Sequence, residues 1–199
     1  KLVFIVLLVL FSVKVFSQQG YHIRIKIKHF PDTSLLLTSY YGDKIKRIDT
    51  AYAQKPGEFI FTGKKKLSGG IYMAISTKKI KLFEFIVNKN QNFDLSTDTA
   101  DYTRLLKERG SIENKLFFNY LRYNEVQYNR IKQLSKTLDS LKKRNQDYEE
   151  IKNKIDSINK LSIVYKLKII HKYPDLFVTK VLDAMREVEV PADNVGNDS

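Results

Sequence analysis

Cysteine and tryptophan are both absent from this chain of 199 residues. Without cysteine there can be no disulfide scaffold, no thiolate zinc site and no cysteine nucleophile in these residues. Nor is there a cysteine near the N-terminus to carry a lipid anchor. Glycine and proline are scarce, at eight and four, and neither occurs between Ser111 and Tyr173. That stretch therefore lacks the usual residues that break helices. The most apolar run, Leu2 to Val13, holds twelve residues, short of the ~20 that span a bilayer. There is no Gly-x-Ser-x-Gly nucleophile turn and no Walker-type glycine loop.

What stands at the start is a secretory signal peptide: Lys1, the apolar run, Lys14, then Val15, Phe16 and Ser17 before a polar Gln18. Cleavage is expected after Ser17, and export follows. The chain opens on Lys and closes on a polar string, Pro191 to Ser199, and is expected to be a fragment of a longer protein. Its net charge of +13 falls to +11 when Lys1 and Lys14 leave with the signal. The cations are spread along the chain, so solubility or contact with anionic envelope surfaces is expected, and no nucleic-acid partner.

Residues 18–98 read as an antiparallel β domain. His22 to Lys28 alternates strictly, as a strand with one buried face does. Leu35 to Tyr41, Ile45 to Ala53, Phe59 to Thr62, Ile71 to Ser76, Lys81 to Val87 and Phe93 to Ser96 follow, separated by turn residues such as Gly42-Asp43-Lys44 and Pro56-Gly57-Glu58. About seven strands make a sandwich or a small barrel.

Residues 99–187 read as a helical region. Tyr102 to Arg109 is expected to form a short helix stopped by Gly110, and Ser111 to cap the next, with Glu113 in its first turn. One apolar stripe runs Phe117, Leu121, Tyr128, Ile131, Leu134, Leu138, Leu141; another runs Tyr148, Ile151, Ile155, Ile158, Leu161, Tyr165, Ile169. The seven-residue step from Leu141 to Tyr148 leaves the phase intact, so one long coiled-coil helix and a hairpin both fit. The hairpin is preferred because it buries both stripes against each other. Pro174 opens a third helix, Asp175 to Met185, and 188–199 reads as a linker toward a further C-terminal domain. The fold class is α+β with segregated sheet and helices.

Chemistry is thinly signalled. His22, His29 and His171 have no metal-ligand spacing. Ser68-Gly69-Gly70 reads as a bend, Lys64-Lys65-Lys66 as a solvated loop and Glu149-Glu150 as a surface pair. Of twelve Tyr and twelve Phe, most sit on apolar phases, among them Phe59, Phe61, Phe83, Phe85, Phe117 and Tyr128. Tyr40-Tyr41 beside Gly42 is the pair expected to form a binding patch. No catalytic, cofactor-binding or metal-binding residue is assigned, and no cofactor is expected.

The order of the motifs carries a resemblance. Tyr21-His22-Ile23-Arg24-Ile25, Leu35-Leu36-Leu37, Tyr40-Tyr41-Gly42-Asp43, Ile48-Asp49-Thr50-Ala51, Gly57 to Gly63, Gly70-Ile71-Tyr72, Phe83 to Asn88 and Gly110 to Asn114 together resemble domain of unknown function 4369. The segment through Asp175 to Val178 and on to Pro191 is similar to the helical region that joins this domain to a thioredoxin-like one. The resemblance implies an exported protein of the Bacteroides group, in the periplasm or envelope of a Gram-negative bacterium. It implies a parent thiol–disulfide oxidoreductase of the TlpA/ResA-like kind, whose Cys-x-x-Cys would lie in a C-terminal domain. This chain would be its non-catalytic accessory domain, for docking, substrate choice or dimerisation, with that domain or an envelope protein as partner. A freestanding envelope module binding a glycan, peptide or protein is the alternative. A third reading, an enzyme using scattered carboxylates, predicts a cleft with two facing acids. Helical stripes left exposed would point to a homodimer or a docked domain.

Overall fold

The structure, a computed structural model, describes residues 20–42 and 44–185. The expected signal peptide, Asp43 of the first turn and the linker at 188–199 lie outside the described residues. Eight strands come first: β1 (Tyr21–Lys28), β2 (Ser34–Tyr41), β3 (Lys44–Tyr52), β4 (Glu58–Gly63), β5 (Gly70–Ser76), β6 (Lys81–Val87), β7 (Asn92–Asp98) and β8 (Lys107–Arg109). Three helices follow: α1 (Ile112–Lys143), α2 (Glu149–Lys172) and α3 (Phe177–Ala184). The class is the expected α+β, and the two sheets do not close into a barrel.

One sheet runs β4-β1-β7-β8 and the other β3-β2-β5-β6. The chain crosses between sheets after β1, β3, β4 and β6, which leaves β1 and β7 side by side and parallel while every other pairing of named strands is antiparallel. The first sheet alternates as the sequence does. Ile23, Ile25 and Ile27 are buried with Phe59, Phe61, Phe93 and Leu95, while Arg24 faces solvent near Glu58 and Asp94, each at 3.8 Å. Gly57 turns into β4 with φ of 72°, and a Cβ there would run into the Ile27 carbonyl, so only glycine fits this turn.

Phe85 stands at the centre of the core, ringed by Tyr72, Phe83 and Phe93 at centroid distances of 6.4, 6.2 and 6.1 Å. Phe93 belongs to the other sheet, so this contact joins the two layers. A polar tie joins them at the edge. The Tyr21 hydroxyl on β1 donates to Asp49 Oδ2 on β3 at 2.8 Å. Burial, then this hydrogen bond and the nearby carboxylate charge, push the Tyr21 phenol up from 10.0 to about 12. A phenol whose folded pKa is raised stabilises the fold fully below its unfolded pKa, and that contribution is lost as pH rises through the folded value. Stability measured by urea at stepped pH should therefore fall between pH 10 and about 12. Tyr21→Phe should flatten that fall; an unchanged slope would contradict the tie.

The segment expected as a helix, Tyr102 to Arg109, is not one. It makes turns over 102–105 and then the short strand β8, which pairs with β7 through Asp94↔Arg109, Leu95↔Glu108 and Ser96↔Lys107. The open edge of β7 offers these residues backbone partners that a two-turn helix would not supply. The β-rich part thus runs on past residue 98.

The helices form the expected hairpin. Ser111 caps α1, its hydroxyl accepting from the Asn114 N–H at 3.2 Å. Thirty-two residues make α1 about 48 Å long at ~1.5 Å per residue. It packs on β6 and β8, whereas α2 packs on α1 and α3. Leu138 and Ile155 are buried away from the main core cluster. Two stripe members depart from expectation. Tyr128 is 60% exposed and Leu161 is 57% exposed. Each lies at the margin of its stripe, and their neighbours Gln127 and Ser162 take the inward phase, Gln127 fully buried and Ser162 half-buried.

Candidate functional site

Side-chain amides complete the sandwich where its backbone would otherwise be open. β6 is an edge strand, and Asn114 covers it. Its Oδ1 accepts from the Ile86 N–H at 2.7 Å while its Nδ2 donates to the Ile86 carbonyl at 2.8 Å and to Ser111 Oγ at 3.0 Å. The amide thus stands in for the next strand. Gln91 does the same for the bend before β5, exchanging two bonds of 2.8 Å with Leu67 and donating to the Asn88 carbonyl at 2.9 Å. Glu113, expected only to complement the helix dipole, is buried. It accepts from Asn88 Nδ2 and from the Val178 N–H, both at 2.8 Å, tying α3 to the β6–β7 connection. Sequence reasoning passed over Asn114 and Gln91; the adjacent Ser cap was the one available signal for the first.

The Tyr40–Tyr41 pair ends β2, where β2 and β3 extend as a hairpin whose described residues 40–47 are all exposed. Successive strand residues point to opposite faces, so the two rings do not make one platform. Tyr40 is 49% exposed and its hydroxyl donates to Glu84 Oε1 at 2.6 Å, an oxygen shared with Lys81 Nζ at 2.9 Å. The bond to Glu84 raises the Tyr40 pKa first, burial second. Because β5 lies between β2 and β6, this bond passes over β5. Met73 is paired with Thr38 and Glu84 on that face and is 0% exposed. Tyr40 is a clasp over Met73. Tyr41, at 73% exposure, is the more open of the two rings.

The other residues singled out stay apart. His22 lies on the polar face of β1 between Thr62 and Asn92, and His171 lies in the last turn of α2. His29 adopts φ of 58° and approaches Asp98 at 3.2 Å. The Ala100 N–H and then His29 hold the Asp98 carboxyl below its ordinary value. Lys64 to Lys66 form an exposed loop, and the chain bends at Gly69 before β5 begins at Gly70. Among the described residues no three His, Asp or Glu side chains converge as metal ligands.

Two open clefts flank the 101–108 segment where it crosses α1. One, of about 500 Å³, is lined by Asp101, Thr103, Leu121, Asn124, Glu125 and Tyr128. It holds two acids, but Asp101 is engaged by Arg104 through its backbone N–H at 2.8 Å and its guanidinium at 3.6 Å. Asn124 Oδ1 beside it is buried without a hydrogen-bond partner. The other cleft, of about 470 Å³, gathers Arg104, Lys107, Lys115 and Arg122 against one carboxylate, Glu108, over Leu105 and Phe118. The Arg122 guanidinium is fixed by the Leu106 carbonyl at 2.8 Å and by Asn119 Oδ1 at 2.7 Å. This convergence was invisible while 102–109 was read as a helix.

The sandwich and the first residues of α1, which cover its β6 edge, form one β-rich unit. Residues 21–117 match the family model described as a domain of unknown function (DUF4369). The match covers all eight strands and the ties made by Asn114 and Glu113; the rest of the helical hairpin lies beyond it. No curated protein and no solved structure matches the chain.

Proposed function

We propose that this chain is the non-catalytic N-terminal accessory part of an exported cell-envelope thiol–disulfide oxidoreductase, with a thioredoxin-like domain as its covalent partner. The observation that carries the non-catalytic half is the employment of its reactive-looking side chains. Glu84 is held by Tyr40 and Lys81, Asp49 by Tyr21, Glu113 by Asn88 and Val178, and Asp101 by Arg104. Groups tied into structure in this way position surfaces. The redox half rests on the resemblance of the motif order to domains that precede thioredoxin-like ones.

Docking is the role the surfaces favour. Val126 and Tyr128 on α1 and Leu161, Val164 and Leu167 on α2 remain exposed, apolar side chains that a docked surface would cover. The alternative, a freestanding envelope binding module, draws on the projecting β2–β3 hairpin with Tyr41, Ile45 and its cations Lys44, Lys46 and Arg47. Intact mass and N-terminal analysis of the native product in the envelope fraction tests the proposal. It should begin at Gln18, exceed the present chain by about one domain, and contain cysteine. A cytoplasmic product still beginning at its signal run would defeat the export claim.

A further inference from the structure

We propose that the cleft between β8 and the first half of α1 binds a phosphate-bearing ligand. Four cations line it against one carboxylate, and they come from three separate pieces of chain: the 101–105 turn, β8 and α1. Their roles differ. Arg122 is half-buried and immobilised from behind by Leu106 and Asn119. A guanidinium has five N–H donors in a planar fork, so these two bonds leave others for an oxyanion, with little ordering cost on binding. Lys107 and Lys115 are exposed and have no ion-pair partner among the described residues. They are point charges placed to flank a bound phosphate.

The remaining two polar groups are already engaged. Arg104 is paired with Asp101 and stands at the rim. The Glu108 carboxylate accepts from the Ser111 N–H at 3.3 Å, directing one of its oxygens toward the start of α1. Leu105 is partly exposed on the wall of the cleft and gives an apolar neighbour to whatever carries the phosphate.

The ligand chemistry could be presented by a lipid headgroup or by a soluble phosphate, and two titrations of the full chain separate them. Inorganic phosphate, added at low salt while amide resonances are followed, should give saturable shifts confined to Lys107–Glu108 and Lys115–Arg122. The double variant Lys107→Gln/Lys115→Gln changes only exposed side chains. It should weaken the apparent Kd by about tenfold or more, as loss of two charge-assisted contacts implies. The control Lys64→Gln/Lys65→Gln/Lys66→Gln should leave it unchanged. Co-sedimentation with phosphatidylglycerol vesicles forms the second arm. Binding to vesicles that the double variant loses assigns a lipid headgroup; phosphate saturation without vesicle binding assigns a soluble source. Shifts that never saturate, or that survive in the double variant, overturn the proposal.

Discussion

Asn114→Ala should destabilise the protein by about 2–4 kcal/mol, because it leaves the buried N–H and C=O of Ile86 without partners at ~1–3 kcal/mol each. Ile86 is 1% exposed, so water cannot replace the amide without opening the edge. Against a usual total of about 5–15 kcal/mol, this one side chain decides whether β6 stays capped. The urea midpoint reports the loss, and hydrogen exchange locates it: the Ile86 amide should lose protection first. Asn114→Asp separates the two bonds. It keeps an acceptor for the Ile86 N–H but sets a carboxylate against the Ile86 carbonyl, so it should be at least as harmful as alanine. A loss within about 0.5 kcal/mol, the range of ordinary surface changes, would mean that the amide does not close the edge.

Phe85→Ala should cost about 3–5 kcal/mol, the usual range for deleting a buried aromatic side chain. The ring is 0% exposed and meets Phe93 of the opposite sheet edge to face, at 75° between planes. Its loss removes apolar burial and also a contact between layers. Phe85→Leu, which leaves a smaller void, should cost less. Thermal unfolding followed by calorimetry gives the difference, and alanine and leucine variants of equal stability would argue that the sheets meet elsewhere.

Much of the fold could be read before any coordinates because its signals are local. The alternation of Ile23, Ile25 and Ile27 declares a half-buried strand, and Ser111 followed by a proline-free amphipathic run declares a capped helix. The break between α1 and α2 was not settled by the sequence. Asn145 takes φ of 53°, and asparagine tolerates this left-handed conformation just past a helix end. The stripes alone could not show it, since their phase runs on through 142–147. Tyr128 and Leu161 were placed inward by hydropathy, yet Gln127 and Ser162 take the inward phase at those turns.

The site was harder to see for a physical reason. β8 is three residues long and forms because β7 offers an edge, a long-range condition that no local propensity reports. Misreading that strand hid the cleft that Lys107 shares with Lys115 and Arg122. Buried amides such as Asn114 and Gln91 carry no periodicity at all; their importance lies in the backbone groups they meet. Tyr40 and Tyr41 were legible as a pair, but only the bond to Glu84 separates the clasp from the exposed ring.

The central claim, that this DUF4369 domain and its helical hairpin serve a redox protein, is tested most directly by translating the reading frame beyond the codon for Ser199. Within the next ~150 residues, about one domain's length, the account predicts a Cys-x-x-Cys in a βαβ setting. A stop codon reached without such a motif would contradict it and leave the freestanding binding module as the better description.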